Sequence, residues 1–249
     1  MEHTLLKELE KIARDAGAAI MAIYQSEDFD VQLKGDDSPL TKADLAAHQV
    51  IVDGLRKLNV QYPIISEESA DIDWELRKHW HRYWLVDPLD GTKEFIKRNG
   101  EFTVNIALIE RGQPILGVVY APDLDAMYIG ERDKGARLNG EAITVCHESP
   151  QTLRVVGSRS HASQETTDWL EQLGKPYEMV PMGSSLKICL VAEGKADVYP
   201  RLGPTSEWDT AAAHAVLTAA GGSVTTVDGE PLLYNQKESF LNPYFIARP

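Results

Sequence analysis

The chain has 249 residues, with 25 Lys or Arg against 38 Asp or Glu, a net charge of −13 and 43% hydrophobic residues. That length buries a sizeable core without disulfides or a structural metal, and the composition excludes disordered, collagenous and coiled-coil chains. So acidic a surface repels nucleic acid and anionic lipid, so a phosphate-bearing ligand has to be met locally by metal ions, helix N-termini or a few placed cations.

The opening predicts a helix capped by Thr4, with Leu5, Leu9, Ile12, Ala16 and Ile20 recurring at spacings of three and four. Asp30 to Pro39 is polar and reads as a loop. A second helix is predicted from about Thr41 to Leu58, and a short buried strand from Tyr62 to Ser66. The charged, Trp-rich stretch Asp71 to His81 reads as a surface helix. Tyr83 to Val86 reads as a strand that Asp87-Pro88 stops.

Phe102 to Glu110 and Pro114 to Tyr120 form a predicted hairpin, another strand runs from Ala126 to Gly130, and Asn139-Gly140 marks a tight turn. The remainder alternates. Strands are predicted at Leu153–Gly157, Tyr177–Met182, Asp197–Arg201 and Ser223–Val227, with helices at Ala162–Leu173, Ser184–Gly194 and Trp208–Ala220. The expected organisation is an α+β half over residues 1–150 with a mainly antiparallel sheet, and an α/β half over 151–249. The two cysteines, Cys146 and Cys189, are too few for a disulfide framework, which favours a reducing cytoplasm. The charged start leads into no secretory apolar region, and no apolar run approaches the ~18 residues of a membrane span. Peripheral contact with the inner face of the membrane stays open.

Four acidic clusters carry candidate chemistry. In Asp87-Pro88-Leu89-Asp90-Gly91-Thr92, two carboxylates leave a buried strand at a corner, and the Leu89 carbonyl lies between them. Such hard oxygen donors suit Mg²⁺, and the amides after Asp90 suit a phosphate. Asp-Gly is also a common turn, so this cluster alone leaves a simple turn open. Glu67-Glu68 places adjacent carboxylates at a strand end. Asp209 opens an alanine-rich helix, where an acid is an ordinary cap. Thr41 with Asp44 has the spacing of a capping box, and Asp44 facing the site is the further reading.

Together, Ser66-Glu67-Glu68-Ser69, Trp84 through Thr92, and Trp208-Asp209-Thr210-Ala211-Ala212 resemble, in order, the inositol-monophosphatase-like family of Mg²⁺-dependent, lithium-sensitive phosphatases. Each stretch alone is a weak signal; the three in order are specific, and the resemblance spans essentially the whole chain. Within the family, Asp90-Gly91-Thr92-Lys93-Glu94-Phe95-Ile96, Ser158-Arg159-Ser160-His161, Gly183-Ser184-Ser185-Leu186-Lys187 and Tyr199-Pro200-Arg201 look most like the 3′(2′),5′-bisphosphate nucleotidases.

The resemblance implies a layered αβαβα sandwich with the active site between the halves. It implies one Mg²⁺ held by Glu67, Asp87 and the Leu89 carbonyl, and a second held by Asp87, Asp90 and Asp209, with a third, weaker ion near Asp44 as an option. Thr92, with Glu67 and Asp44, would orient the attacking water, and Gly91 and Thr92 would hold the scissile phosphate. Lys187 and Arg201 are candidates for the second phosphate, Gly183 and Ser184 for further donors, and His161 for the base or ribose. The implied reaction is hydrolysis of 3′-phosphoadenosine 5′-phosphate to AMP and phosphate in sulfur metabolism, with the sulfated nucleotide as a related substrate. An inositol or sugar monophosphatase is the alternative. A non-catalytic nucleotide sensor is disfavoured because all four metal carboxylates are present. Monomer and dimer both occur among relatives, with a lean to monomer. His214 among alanines, and Cys189, are expected to be packed core residues.

Overall fold

The computed structural model describes residues 2–26, 31–33, 39–148, 150–157 and 164–249. Helix α1 (Glu2–Tyr24) begins before Thr4, so that residue lies inside the helix and does not cap it. The short antiparallel pair β1 (Gln32–Leu33) and β2 (Pro39–Leu40) follows. Helix α2 (Lys42–Arg56) starts at the expected capping box. Strand β3 (Ile64–Ser66) enters a 3₁₀ turn, Glu67–Ser69. The Trp-rich stretch yields only the four-residue α3 (Trp74–Arg77), a surface element as expected in which Glu75 and Leu76 are exposed and Arg77 alone turns inward. Arg77 is buried, with a guanidinium that donates to Asn235 Oδ1 and the Glu238 carbonyl and lies 4.0 Å from the Phe240 ring centroid. A cation with carbonyl acceptors and aromatic faces can sit where a free one could not.

β3, β4 (Arg82–Asp90), β5 (Thr103–Glu110), β6 (Gln113–Ala121), β7 (Ala126–Glu131), β8 (Gly135–Leu138) and β9 (Glu141–Ile143) form one sheet in that order. Only β3 and β4 run parallel. The five-residue helix α4 (Thr92–Ile96) sits between β4 and β5. Alternation along β4 divides its side chains between two cores. Trp84 and Val86 join α1 and α2 on one face, while Tyr83 and Leu85 join the core that contains α7 on the other.

The second half holds β10 (Leu153–Gly157), α5 (Gln164–Gln172), β11 (Tyr177–Pro181), α6 (Leu186–Ala192), β12 (Tyr199–Arg201), α7 (Glu207–Ala219), β13 (Ser223–Thr226) and β14 (Phe245–Arg248). The expected parallel arrangement holds for β10 with β11 and for the bridge Val155–Val198. The order β12-β14-β13 is antiparallel, because β14, which the periodicity does not announce, closes back between the other two. On β14, Phe245 and Ala247 face the α6–α7 layer, while Ile246 meets Leu170 of α5 on the outer side. The layers are therefore α1–α2, the seven-stranded sheet, α6–α7, the second set of strands, and α5, an αβαβα sandwich. No described helix is long and apolar enough to cross a membrane.

Helix α7 lies unusually close to the sheet. A Cβ on Gly130 would stand 2.4 Å from Val216 Cα, and one on Gly117 would stand 2.1 Å from the Ala212 carbonyl oxygen. Both neighbours are helix backbone, which cannot swing aside. Gly130→Ala is expected to cost about 1–3 kcal/mol by overpacking, measured as a lower urea midpoint, with activity falling because α7 carries Asp209. An unchanged midpoint would mean that α7 can back away from the sheet.

Candidate active site

The corner after β4 is built by a register shift. Asp87 pairs with Asn105 and Asp90 with Thr103, so three steps on β4 oppose two on β5. In an unbroken strand, residues three apart point to opposite faces. The extra residue reverses the parity. Leu89, which would otherwise share the face of Tyr83 and Leu85, packs instead with α1 and α2, and Asp87 and Asp90 converge. Pro88 therefore does not stop the strand as expected. It falls within the bulge, where no ladder partner asks for its missing N–H.

Asp209 arrives from the first turn of α7. One oxygen of each of Asp87, Asp90 and Asp209 lies within 4.8 Å of the other two. Asp87 is buried, and its carboxyl is pushed well above the ordinary range by burial and then by Glu67, Asp90 and Asp209, with Glu67 also hydrogen-bonded to it. Burial raises Asp90 to about 6 against the pull of Lys187 and the Ser185 amide. Burial and Asp90 raise Asp209 to about 8. Clustered carboxylates held this way resist ionising together unless a cation joins them. The donor set is oxygen only, which fits Mg²⁺ and not a softer metal.

Asp44 and Asp209 share a device. Each accepts a capping N–H with Oδ2, Asp44 from Thr41 at 2.7 Å and Asp209 from Ser206 at 2.8 Å. In Asp44 the other oxygen, Oδ1, is turned toward Thr92. That oxygen lies 3.2 Å from Thr92 Oγ1, which is also 3.3 Å from the Leu89 carbonyl. In Asp44, capping and a place at the site thus use different atoms. Gly91 precedes Thr92 with φ 90°, and a Cβ there would stand 3.1 Å from the Glu101 carbonyl. Only glycine meets both demands.

Two adjoining cavities share Asp90, Gly91, Lys93, Glu94, Thr205 and Asp209. One, of about 420 Å³, includes Glu67 and Thr92. The other, of about 270 Å³, includes Gly183, Ser184, Lys187, Tyr199 and Arg201. Lys187 Nζ stands 5.8 Å from the Tyr199 ring centroid and makes no ion pair among the described residues. Arg201 donates from Nη2 to the Pro204 carbonyl at 2.8 Å, and its buried Nε has no partner among the described residues. Ser184 has a left-handed φ of 47°, so the expected helix begins only at Leu186. His161 lies outside the described residues.

Sequence reasoning did not single out Lys93, Glu101, Thr103, Asn105, Ser185 or Tyr199 as site residues. Lys93 is exposed at the rim of both cavities. Glu101 accepts the Gly183 N–H at 2.8 Å. Thr103 and Asn105 had a usable signal, namely polar residues at alternate positions in an otherwise apolar strand. His214 is the packed residue expected. It is buried, its Nδ1 is 2.9 Å from the Tyr234 hydroxyl, and burial lowers it to about 4. Cys189 is likewise buried.

Comparison with known proteins gives consistent matches. The Inositol monophosphatase family matches over residues 1–245. The chain is 54% identical over 243 residues to the 3′(2′),5′-bisphosphate nucleotidase CysQ of Escherichia coli strain K12, covering 97% of this chain and 98% of that protein. It is 40% identical to CysQ of Haemophilus influenzae, covering 98% and 92%. Among solved structures, CysQ from Bacteroides thetaiotaomicron superposes with a TM-score of 0.88 at 42% identity, covering 98% and 97% of the two chains. The Thermotoga maritima IMPase superposes with a TM-score of 0.80 at 27% identity, covering 100% and 92%.

Proposed function

The chain belongs to the inositol monophosphatase family, and from that premise we propose that it is a Mg²⁺-dependent bisphosphate nucleotidase. It hydrolyses the 3′-phosphate of 3′-phosphoadenosine 5′-phosphate to give AMP and phosphate, with the sulfated nucleotide as a related substrate, in sulfur metabolism. The observation that carries this is a carboxylate cluster that opens directly onto a second cavity bearing Lys187 and Arg201. Relatives named as bisphosphate nucleotidases support it.

Glu67, Asp87 and the Leu89 carbonyl would hold one Mg²⁺, and Asp87, Asp90 and Asp209 a second; Asp44 is the candidate for a weaker third. Bound there, Mg²⁺ supplies charge neutralisation on the transferred phosphate and polarises water. The chain's own residues do the rest. The Thr92 hydroxyl proton is committed to Asp44 Oδ1 or the Leu89 carbonyl, so its lone pairs accept from, and orient, a water. The amides at Gly91 and Thr92 receive the scissile phosphate. Lys187 and Arg201 receive the second phosphate, with Ser184 and the Gly183 backbone alongside and His161 toward the base or ribose.

The test sets 3′-phosphoadenosine 5′-phosphate beside inositol 1-phosphate. The bisphosphate is expected to be strongly preferred, and preference for inositol 1-phosphate would reassign the enzyme as a monophosphatase. Lys187→Glu removes a charged hydrogen bond of about 1.5–3 kcal/mol. It is expected to raise KM for the bisphosphate about 10- to 100-fold and to leave inositol phosphate turnover nearly unchanged. Equal effects on both substrates would take Lys187 out of the second-phosphate site.

A further inference from the structure

Thr103 and Asn105 stand on the face of β5 that holds the metal-side corner, opposite Asp90 and Asp87 in the ladder. Both are buried, as is Ser185. Ser185 Oγ donates to Asn105 Oδ1 at 2.8 Å. That uses its only hydrogen, so Thr103 Oγ1, at 2.8 Å, is the donor to Ser185 Oγ. The Asn105 amide then turns Nδ2 toward Asp90 Oδ2, at a long 3.5 Å. The same oxygen receives the Ser185 N–H at 2.6 Å. A carboxylate only accepts, so the direction of the chain is set from that end: Thr103 to Ser185 to Asn105 to Asp90. The Thr103–Ser185 and Ser185–Asn105 links are buried, where a broken one is costly, and the two links to Asp90 are part-buried at the cavity wall.

Ser185 also belongs to the other cavity. It follows Ser184 and precedes Lys187 on the wall with Tyr199. The segment is tied at both ends to the corner that carries the metal-side residues, Gly183 N–H to Glu101 and Ser185 N–H to Asp90. We infer that Thr103, Ser185 and Asn105 form a positioning relay that holds Asp90 Oδ2 and so couples cation binding to nucleotide binding. Among the described residues the donors to Asp90 reach Oδ2, which leaves Oδ1 for a cation. A nucleotide held by Ser184 and Lys187 steadies Ser185, which steadies Asp90. By linkage, the cation then tightens the nucleotide by the same factor. The relay rests on the reading of the site as a metal-dependent nucleotidase.

Isothermal titration of Mg²⁺ into the full chain, alone and with saturating AMP, tests the coupling without turnover. In the wild type, AMP is expected to strengthen Mg²⁺ binding. Thr103→Val keeps the shape and removes the first donor. Its Mg²⁺ dissociation constant is expected to rise about 10-fold, the scale of residues that orient metal ligands, and the enhancement by AMP is expected to vanish. Thr103→Ser restores the hydroxyl and should restore both. Ser185→Ala, which keeps the backbone N–H, is expected to act in the same direction, and it carries the test should Thr103→Val fail to fold. A folded Thr103→Val or Ser185→Ala that binds Mg²⁺ as the wild type does, with the same response to AMP, overturns the relay alone. A wild-type chain that binds no Mg²⁺ overturns the functional reading beneath it.

Discussion

Asp87→Asn is expected to abolish Mg²⁺-dependent phosphate release, by about 10³-fold or more, while raising the melting temperature of the metal-free protein. Asp87 is the buried member of the cluster and the one that touches both Glu67 and the Asp90–Asp209 side. Removing its charge would take away the proposed shared cation ligand. Each 1.36 kcal/mol lost from the transition state is tenfold in rate, and metal contributes several kcal/mol. The same removal relieves burial of a carboxyl among three others, which is a cost to the fold when no cation is bound. The amide keeps the shape and can still accept the Leu89 N–H that Asp87 Oδ1 accepts at 3.0 Å. Phosphate release at saturating Mg²⁺, read beside thermal unfolding in chelator, checks both halves. A variant that retains activity would end the two-metal proposal. One that loses activity and melts lower would mean that the carboxylate is structural.

Metal-free protein is expected to lose stability as pH rises from about 4 to about 8, and Mg²⁺ to restore it increasingly over that range. Asp90 and Asp209 are raised to about 6 and about 8, chiefly by burial. A carboxyl with a raised folded pKa holds its proton more tightly in the native state than in the unfolded chain. Stability from these groups is therefore fully present below the unfolded value of about 4 and is lost as pH passes through the folded values. Mg²⁺ binds the ionised forms and reverses the trend. Glu110 works oppositely, because hydrogen bonds from Arg132 and Arg82 lower it and its contribution fades in acid. The site is isolated by the difference between wild type and Asp209→Asn across pH, where the variant should fall less steeply. A Mg²⁺-induced melting shift that is constant from pH 5 to pH 8 would contradict the raised values.

Much of this site was legible in the chain. Asp87-Pro88-Leu89-Asp90-Gly91-Thr92 announces a corner because proline and glycine act on their own backbone torsions. Thr41 with Asp44 announces a helix start because the capping partners are three residues apart. The spacing of Leu5, Leu9, Ile12 and Ala16 marks α1 for the same local reason. Other features escaped. Arg77 reads as a surface charge until Phe240 and Asn235, far along the chain, enclose it. Strand β14 has no periodicity of its own and exists because β12 and β13 flank it. Thr103 and Asn105 carry a polar alternation, but their purpose depends on Ser185 arriving from the opposite half.

By itself the sequence determined where the chain turns, which faces of its helices are apolar, and which residue types stand ready for cation and phosphate chemistry. These are short-range matters of torsion, capping and period, settled within a few residues. The tertiary structure decided which of those residues meet. Parity along β4 is reset by one extra residue against β5, and nothing in β4 alone says how that strand is paired. Asp209 reaches Asp87 and Asp90 because Gly117 and Gly130 let α7 approach the sheet. Convergence depends on register and on close packing between distant segments, and both belong to the folded whole.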